Sequence, residues 1–507
     1  MPSRTKRGRP SESCRRYPGL EWCSVDLDDL TRVLAASEST ARGSVEVTDL
    51  AYDARRITPG AVFFCVPGSR ADGHDFAAEA VAAGAVALVV EHPLELDVPQ
   101  LVVEDARESM AIAADVFFGE PTRELEVAGV TGTNGKTTTT FLLRSVLAAA
   151  GRAPGLVGTV DWVVGGEVRQ APHTTPEAID LQRLFREMLA AGDQSVAVEA
   201  SSHGSTLHRL DRVRFDALVF TNLSQDHLDL HGTMEEYYQA KRRLFTGAAP
   251  PPAAVNVGDE HGRRLALELV ETRRAPLITF GLTDAAEIRP EGLEMGASGS
   301  RFRAGGIDIE TPLRGRFNVE NVLGVIAAGV LLDIDDDELA EGIRDMPGIP
   351  GRFEAVDEGQ PYAVIVDYAH SPESLDIVLQ AARELGSGRL ICVFGAGGDR
   401  DRGKRPVMGA VAVQRSDHVI VTSDNPRSED PLAIIQDILQ GAGVGVEIDP
   451  DRRSAIHRAV ALAGAEDVVV IAGKGHEQGQ ETAGVVAPFD DRAVVREALR
   501  EAGFRAS

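Results

Sequence analysis

Cysteine is scarce in this chain: 507 residues hold four, Cys14, Cys23, Cys65 and Cys392, with no C-x-x-C spacing among them. That scatter reads as reduced thiols of a cytoplasmic protein and argues against a disulfide framework or a zinc site. Long apolar runs are missing too; none approaches the about 18 residues that a membrane span needs. The amino-terminal stretch carries Arg4, Lys6, Arg7, Arg9, Arg15 and Arg16 against Glu12, with no apolar segment after it. The pattern is not a secretory signal, and a flexible basic tail is expected over residues 1–23. Positive charge is in short supply overall, with 52 Lys and Arg against 78 Asp and Glu and a net charge of −26. Nucleic acid and anionic membrane are therefore excluded as main partners, because phosphate backbones are held by clustered cations. No spacing suggests a Ser-His-Asp set or a cysteine nucleophile, and no repeats appear.

What is present is organised around Val127–Thr140, VAGVTGTNGKTTTT. A short apolar run, Leu125–Val130, reads as a buried strand. Gly132 and Gly135 punctuate a turn, Lys136-Thr137 follows, and a helical pattern runs over Phe141–Ala150. Strand, glycine loop, Lys-Thr and helix are the parts of a phosphate cradle: backbone N–H groups wrap the anion, the lysine neutralises it, and a hydroxyl reaches Mg²⁺. The strict spacing would place glycine where Val130 stands, so the loop is a longer variant of the common motif. In an acidic protein it points to a small anionic ligand held by local geometry.

The length suggests roughly three domains. Residues 24–124 alternate short strand-like runs with an Ala-rich helix, Phe76–Ala83, and say little about function. Residues 125–346 follow a βαβ pattern with the glycine loop first. Ser195–Glu199 and Ala217–Phe220 read as buried strands, each ending in a polar cluster (Glu199–His203 and Thr221–His227), and Met234–Leu244 reads as a helix. A Pro-Gly hinge at 347–353 leads into residues 347–507, where Ala363–Val366, Leu390–Phe394, His418–Thr422 and Val468–Ala472 are strand-like. Each runs into a polar or glycine-rich loop, and in a doubly wound parallel sheet such loops converge on one edge, where ligands bind. The fold class is α/β, with a P-loop-type central domain and a Rossmann-like carboxy-terminal one.

Glu199 at a strand end facing Thr137 is a Walker-B-like arrangement, hydroxyl and carboxylate both suiting a hard cation; a plain surface carboxylate is the alternative. His227 after Asp226 suits a metal ligand or a hydrogen-bonded loop histidine equally well. Lys241, beside Arg242 and Arg243, reads from spacing alone as part of a solvated basic face. Arg400, Asp424, Arg427 and Glu477 put two cations and two anions around one crevice, a set that suits an amino acid, although a mutually paired surface network has the same composition.

Taken together these stretches resemble the Mur ligase family of ATP-dependent amide-forming ligases. The resemblance is carried by TGTNGKTTT at 131–139, HTTPE at 173–177, EASSHG at 199–204, FTNLSQDHLDLHG at 220–232, YYQAK at 237–241, GRFNVEN at 315–321, DYAHSP at 367–372, GAGGDRDRGKRP at 395–406, DNPR at 424–427 and GKGHE at 473–477, in order over nearly the whole chain. It implies that Gly132, Thr133, Asn134, Gly135, Lys136, Thr137 and Thr138 hold the ATP phosphates, with Asn318, Arg352 and Asp367 along the nucleotide. Thr137, Glu199, His227 and Lys241 would serve Mg²⁺, with Lys241 carbamylated by CO₂ to an N6-carboxylysine, which turns a repelling cation into an anion. Catalysis would rest on Lys136, Glu199, His227 and Lys241.

The resemblance further implies that Thr174, Thr175, Ser201 and Arg209 hold a UDP-N-acetylmuramoyl-L-alanyl-D-glutamate substrate, whose uridine end lies on the first domain near Ala54. The family usually has serine at that position, and some members have glutamine where Leu207 stands. Arg400, Asp424, Asn425, Pro426, Arg427, Gly473 and Glu477 would take the incoming amino acid. DNPR is the form carried by members that use meso-diaminopimelate; L-lysine lacks the second carboxylate that Arg427 and Arg400 offer to pair. A lysine-adding ligase of the same family, or a folylpolyglutamate-synthase-like ligase, is the competing expectation. A monomer without nucleic-acid or membrane partners is expected.

Overall fold

The computed structural model describes residues 14–17, 20–40, 45–68, 71–247, 249–296 and 299–505. The expected tail at residues 1–13 lies outside these, whereas Cys14–Tyr17 and Leu20–Cys23 pair as an antiparallel hairpin. The chain forms two compact units. One contains the residues up to Gly129 together with Arg152–Asp216 and Arg243–Pro251; the other contains Val130–Gly151, Ala217–Arg242 and Pro252–Ser507.

In the first unit, Asp49–Ala51, Ala61–Phe64, Ala87–Val90 and Gln100–Val102 form parallel neighbours, closed by Glu38–Ser39 running antiparallel to the last. The Ala61–Phe64 and Ala87–Val90 strands are buried on both faces, which is why they read as unbroken apolar runs. The Ala-rich helix spans Ala77–Ala82. Pro154–Val157 pairs parallel with Ser195–Glu199 and antiparallel with Asp161–Val164. The strand ending in Glu199 is wholly buried.

In the second unit, Ala217–Phe220, Ala253–Asn256 and Leu277–Phe280 are parallel. The Arg316–Leu331 helix packs on them and is buried almost all round, as expected of a helix apolar on every face. A three-stranded antiparallel sheet, Glu291–Gly296, Gly299–Ala304 and Ile307–Thr311, had no counterpart in the sequence expectations. Toward the carboxy terminus the sheet order is 354–355, 363–367, 468–472, 390–394, 418–421, 447–448, all parallel after the first strand. The expected strands Leu390–Phe394 and Val468–Ala472 occur with those bounds.

The helix after the glycine loop begins at Lys136 rather than Phe141 and ends at Ala149. Four consecutive threonines are weak helix formers, yet here they are buried, and the Thr140 hydroxyl donates back to the Lys136 and Thr137 carbonyls (3.1 and 2.9 Å). Packing overrides propensity. Helix Asp336–Arg344 rests on this helix through Gly342, where a Cβ would stand 2.8 Å from Val146 N and 3.0 Å from Ser145 O. Ala in place of Gly inside a helix is normally stabilising. Here we expect Gly342→Ala to destabilise by about 1–3 kcal/mol through overpacking, seen as a lower unfolding midpoint in denaturant; a raised midpoint would show that the helices separate freely.

Candidate active site

The glycine loop is shaped from behind by the end of the Ala217–Phe220 strand. Asn222 Oδ1 accepts from the Asn134 N–H (2.9 Å), its Nδ2 donates to the Asn134 carbonyl (3.2 Å), and its own carbonyl accepts from Thr133 N (2.9 Å). Thr221 Oγ1 donates to the same Asn134 carbonyl at 2.7 Å. Gly135 sits at φ +87° as the residue that opens the helix, a left-handed geometry that a side chain would strain. The amino-terminal end of the helix and its dipole thus face the loop, the physical basis of an anion site. Lys136 folds over the turn, with Nζ donating to the Gly132 and Thr133 carbonyls at 2.9 and 2.8 Å. The Thr137 hydroxyl accepts from Arg352 Nη2 at 3.1 Å.

Lys241 overturns the expectation drawn from its neighbours. It is 1% exposed, not part of a solvated face. Its Nζ donates to the Gly132 carbonyl at 2.8 Å and lies 4.6 Å from the centre of the Tyr237 ring. Burial, and then the field of Lys136, pulls its pKa well below the ordinary lysine value, against a weaker opposite pull from Asp226. A helix that puts Arg242 against Glu268 turns Lys241 inward. His227 holds a left-handed φ of +53°, with Nε2 3.5 Å from Asp226 Oδ2 and its ring edge-on to Tyr237.

A cavity opens beside the loop in the same unit. Asn134, Gly135, Thr138, Asn318, Arg352 and Asp367 line it, as expected, joined by Asn256, Phe280, Phe317, Glu320 and Asn321, which the sequence did not single out. The Asp367 carboxylate accepts from Phe353 N (2.6 Å) and Ala369 N (2.7 Å); burial raises its pKa against the opposing field of Arg352. The Arg352 guanidinium lies 4.7 Å over the Tyr368 ring. Its lining combines asparagine amides with the apolar side chains of Phe280, Phe317, Ile377 and Val378, a mix that suits a small ligand with polar and flat apolar parts.

In the first unit the expected substrate residues converge. Thr175 Oγ1 donates to the Glu199 carbonyl (2.8 Å) and meets Ser201 Oγ at 2.9 Å, while Arg209 donates to Thr175 O at 2.8 Å and to Glu177 at 2.6 Å. Thr174 Oγ1 lies 3.0 Å from Thr159 Oγ1. Glu199 is 1% exposed, and its carboxylate accepts from Thr159 N (2.8 Å) and Thr159 Oγ1 (3.0 Å), so the surface-carboxylate alternative falls. Thr159, an unremarkable threonine after Gly158 in the sequence, is the residue missed here. Ala54 is buried in a single helical turn capped by Asp53, on which Arg55 folds back.

At the carboxy-terminal sheet edge, Asn425 is the hub. Its Nδ2 donates to Glu477 Oε2 (2.7 Å), and its Oδ1 accepts from Lys474 Nζ (3.0 Å) and Glu481 N (3.0 Å). Lys474 Nζ also reaches Glu477 at 3.0 Å. Asp424 Oδ1 accepts from Asn425 N at 2.7 Å, whereas Asp424 Oδ2 is buried without a partner. Pro426 carries the loop to Arg427, whose Nη1 donates to the Gly398 carbonyl at 2.6 Å while Nε stands 3.7 Å from Glu481. Arg400 is exposed and donates only weakly to Asp399 O (3.4 Å), with its Cγ near the same Gly397 turn that Arg427 touches. The four expected charges therefore do share one edge. Lys474 and Glu481, flanking motif residues, complete it.

No group of three or more His, Cys, Asp or Glu side chains stands close enough to hold a metal among the described residues. Of the residues expected to serve a metal, Thr137, His227 and Lys241 lie in one unit, and a metal there would need Lys241 as a donor. Its depressed pKa favours the neutral amine, the form that captures CO₂, so its surroundings fit a carbamate.

Three Mur ligase family models match in succession: the Mur ligase family catalytic domain over residues 46–124, the Mur ligase middle domain over 130–329, and the Mur ligase glutamate ligase domain over 351–475. The UDP-N-acetylmuramoyl-L-alanyl-D-glutamate--2,6-diaminopimelate ligase of Solibacter usitatus is 47% identical over 471 residues, 90% of this chain and 94% of that protein. The enzyme of the same name from Geobacillus kaustophilus is 45% identical over 91% of this chain and 96% of its own length. A solved structure of a ligase of that name superposes with a TM-score of 0.68 at 32% identity, covering 94% of this chain and 99% of the other. Fold and site together define an ATP-dependent amide-bond-forming ligase. The chain belongs to the Mur ligase family.

Because Asn222 alone fixes both backbone groups of Asn134, Asn222→Ala is expected to weaken ATP binding about 10-fold, or about 1.4 kcal/mol, in isothermal titration. An unchanged affinity would show that the loop holds its shape without it.

Proposed function

We propose that the chain adds meso-diaminopimelate to the D-glutamate of UDP-N-acetylmuramoyl-L-alanyl-D-glutamate at the expense of ATP, in the cytoplasm, as a step of peptidoglycan synthesis. The observation that carries the reading is the edge that holds Arg427, Asp424 and Glu477, where one buried oxygen of the Asp424 carboxylate has no protein partner. A zwitterionic amino acid supplies the missing ammonium and a carboxylate together. The name printed for the two relatives of nearly the same length supports the same substrates.

In this reading the glycine loop, with Lys136, Thr137 and Thr138, binds the ATP phosphates, and Asn318, Arg352 and Asp367 hold the nucleoside in the adjoining cavity. The cluster of Thr174, Thr175, Ser201 and Arg209 binds the nucleotide-sugar peptide, and the segment around Ala54 takes its uridine end. A glutamyl carboxylate oxygen attacks the γ-phosphorus, the bond to the bridging oxygen breaks, and ADP leaves with that electron pair, giving an acyl phosphate. The free amine of diaminopimelate then attacks the acyl carbon; the C–O bond to phosphate breaks, inorganic phosphate leaves with its electron pair, and the nitrogen gives up a proton as the amide forms. Lys136 stabilises charge on the phosphoryl oxygens, where fixed cations and N–H groups lower the barrier most. Mg²⁺, when bound through Thr137, Glu199, His227 and carbamylated Lys241, would neutralise the phosphates. The three family segments fall within domains at 24–124, 125–346 and 347–507, the partition we adopt.

Phosphate release is expected to require both the UDP-muramoyl dipeptide and meso-diaminopimelate, and kcat/KM with L-lysine should be about 10²-fold lower, since Arg427 is partly exposed and a lost hydrogen bond to a charged group costs about 1.5–3 kcal/mol. Equal rates with the two amino acids would refute the assignment of Arg427. Labelled bicarbonate should give a carbamate signal by NMR in the native protein. The signal should be absent from Lys241→Met, together with a loss of activity of about 10²–10³-fold.

A further inference from the structure

Asp424 and Glu477 stand on loops that leave strands which are not neighbours. Strand Leu390–Phe394 lies between His418–Val421 and Val468–Ala472, so two strand spacings, roughly 9–10 Å, separate the roots of the loops. Farther out the loops meet through the Arg427–Thr482 bridge and the Asn425–Glu477 hydrogen bond, but at their roots, beside Ser423 and Ala472, no ladder bond spans the gap. Arg452, the first residue of helix Arg452–Leu462, crosses it. Its Nη1 donates to the Ser423 carbonyl (3.3 Å) and its Nη2 to the Ala472 carbonyl (3.0 Å), the residues immediately before Asp424 and Gly473.

The guanidinium is itself held from the carboxy-terminal helix. Nε and Nη2 donate to the two Asp491 oxygens at 2.7 Å each, and neither side chain is exposed. Gly473 is drawn against Asp424: at φ +120° it has no room for a Cβ, which would run into Asp424 Oδ2 and lie 3.9 Å from Arg452 Nη2. Burial opposes the charge on Arg452, but Asp491, and beyond it Asp424 and Glu477, raise its pKa. The planar fork reaches two carbonyls and a carboxylate at once with little freedom to lose, which a lysine does not reproduce.

We propose that Arg452, fixed by Asp491, is a positioning residue for the amino-acid end of the site: it sets the separation of the Asp424 and Glu477 carboxylates and thereby the affinity for the incoming diamino acid, without touching that ligand. The inference rests on the ligase reading above.

Two full-length variants test it. Arg452→Lys keeps the charge and loses the fork. The double variant Arg452→Met, Asp491→Leu removes both charges together, which avoids stranding one of them in the core. Phosphate release is measured against meso-diaminopimelate and, separately, against ATP, with thermal melting recorded for each protein. In folded variants the KM for meso-diaminopimelate should rise about 10-fold, a loss of about 1.4 kcal/mol, with the KM for ATP unchanged. A folded variant with unchanged KM for the diamino acid overturns the proposal, as does a fall in kcat alone or an equal rise in every KM. Native protein that releases phosphate without a diamino acid overturns the ligase reading instead, whatever the variants do.

Discussion

A buried lysine against a backbone carbonyl is the constraint on which the phosphate site depends. Lys241 has no exposed surface to speak of, and a lone ammonium in such a place costs far more than one hydrogen bond returns. Lys136 stands close enough to add repulsion. Two lysines share one acceptor, the Gly132 carbonyl, and only one of them opens toward the loop. The arrangement is eased when Lys241 is neutral, since burial and the field of Lys136 both disfavour its ammonium.

Arg352 extends this constraint along the chain. It donates to the Thr137 hydroxyl, covers the face of Tyr368 and faces the Asp367 carboxylate at the end of its strand. Gly351, next to it, leaves no space for a Cβ against Gly475 and His476. One short segment therefore touches the phosphate loop on one side and the GKGHE loop on the other. Both loops are thus packed against the same stretch of backbone, which leaves little free volume between them.

The sequence was most legible where one force dominates. Strands buried on both faces, Leu390–Phe394 and Val468–Ala472, are pure apolar runs and could be bounded to the residue. Glycine punctuation marked the phosphate loop, and charge chemistry at strand ends marked Asp424, Arg427 and Glu477. Legibility failed where tertiary contact competes with local preference. The apolar pattern starts the helix only at Phe141, since the threonines before it carry no apolar periodicity, and Lys241 beside Arg242 and Arg243 reads as solvated although Arg242 pairs with Glu268 and Lys241 turns inward. The alternation of Phe302, Ala304, Ile307 and Ile309 does signal the small antiparallel sheet, with Gly305-Gly306 as its turn; it passed unnoticed among charged outward residues. Arg452 carries no local signal at all, since its partners lie at residues 423, 472 and 491.

The amino-acid end shows why those silent residues matter. Around Asn425, the carboxylates of Asp424, Glu477 and Asp491 face the cations of Lys474 and Arg452. The unpartnered carboxylate oxygen lies on Asp424, and a buried acceptor of this kind is satisfied by one added donor. Arg427, across the turn, is the separate cation of this edge and donates to the Gly398 carbonyl. In the proposed reading the attacking amine is the one these carboxylates do not hold, a second nitrogen that a diamino acid supplies and a ligand with one amino group does not.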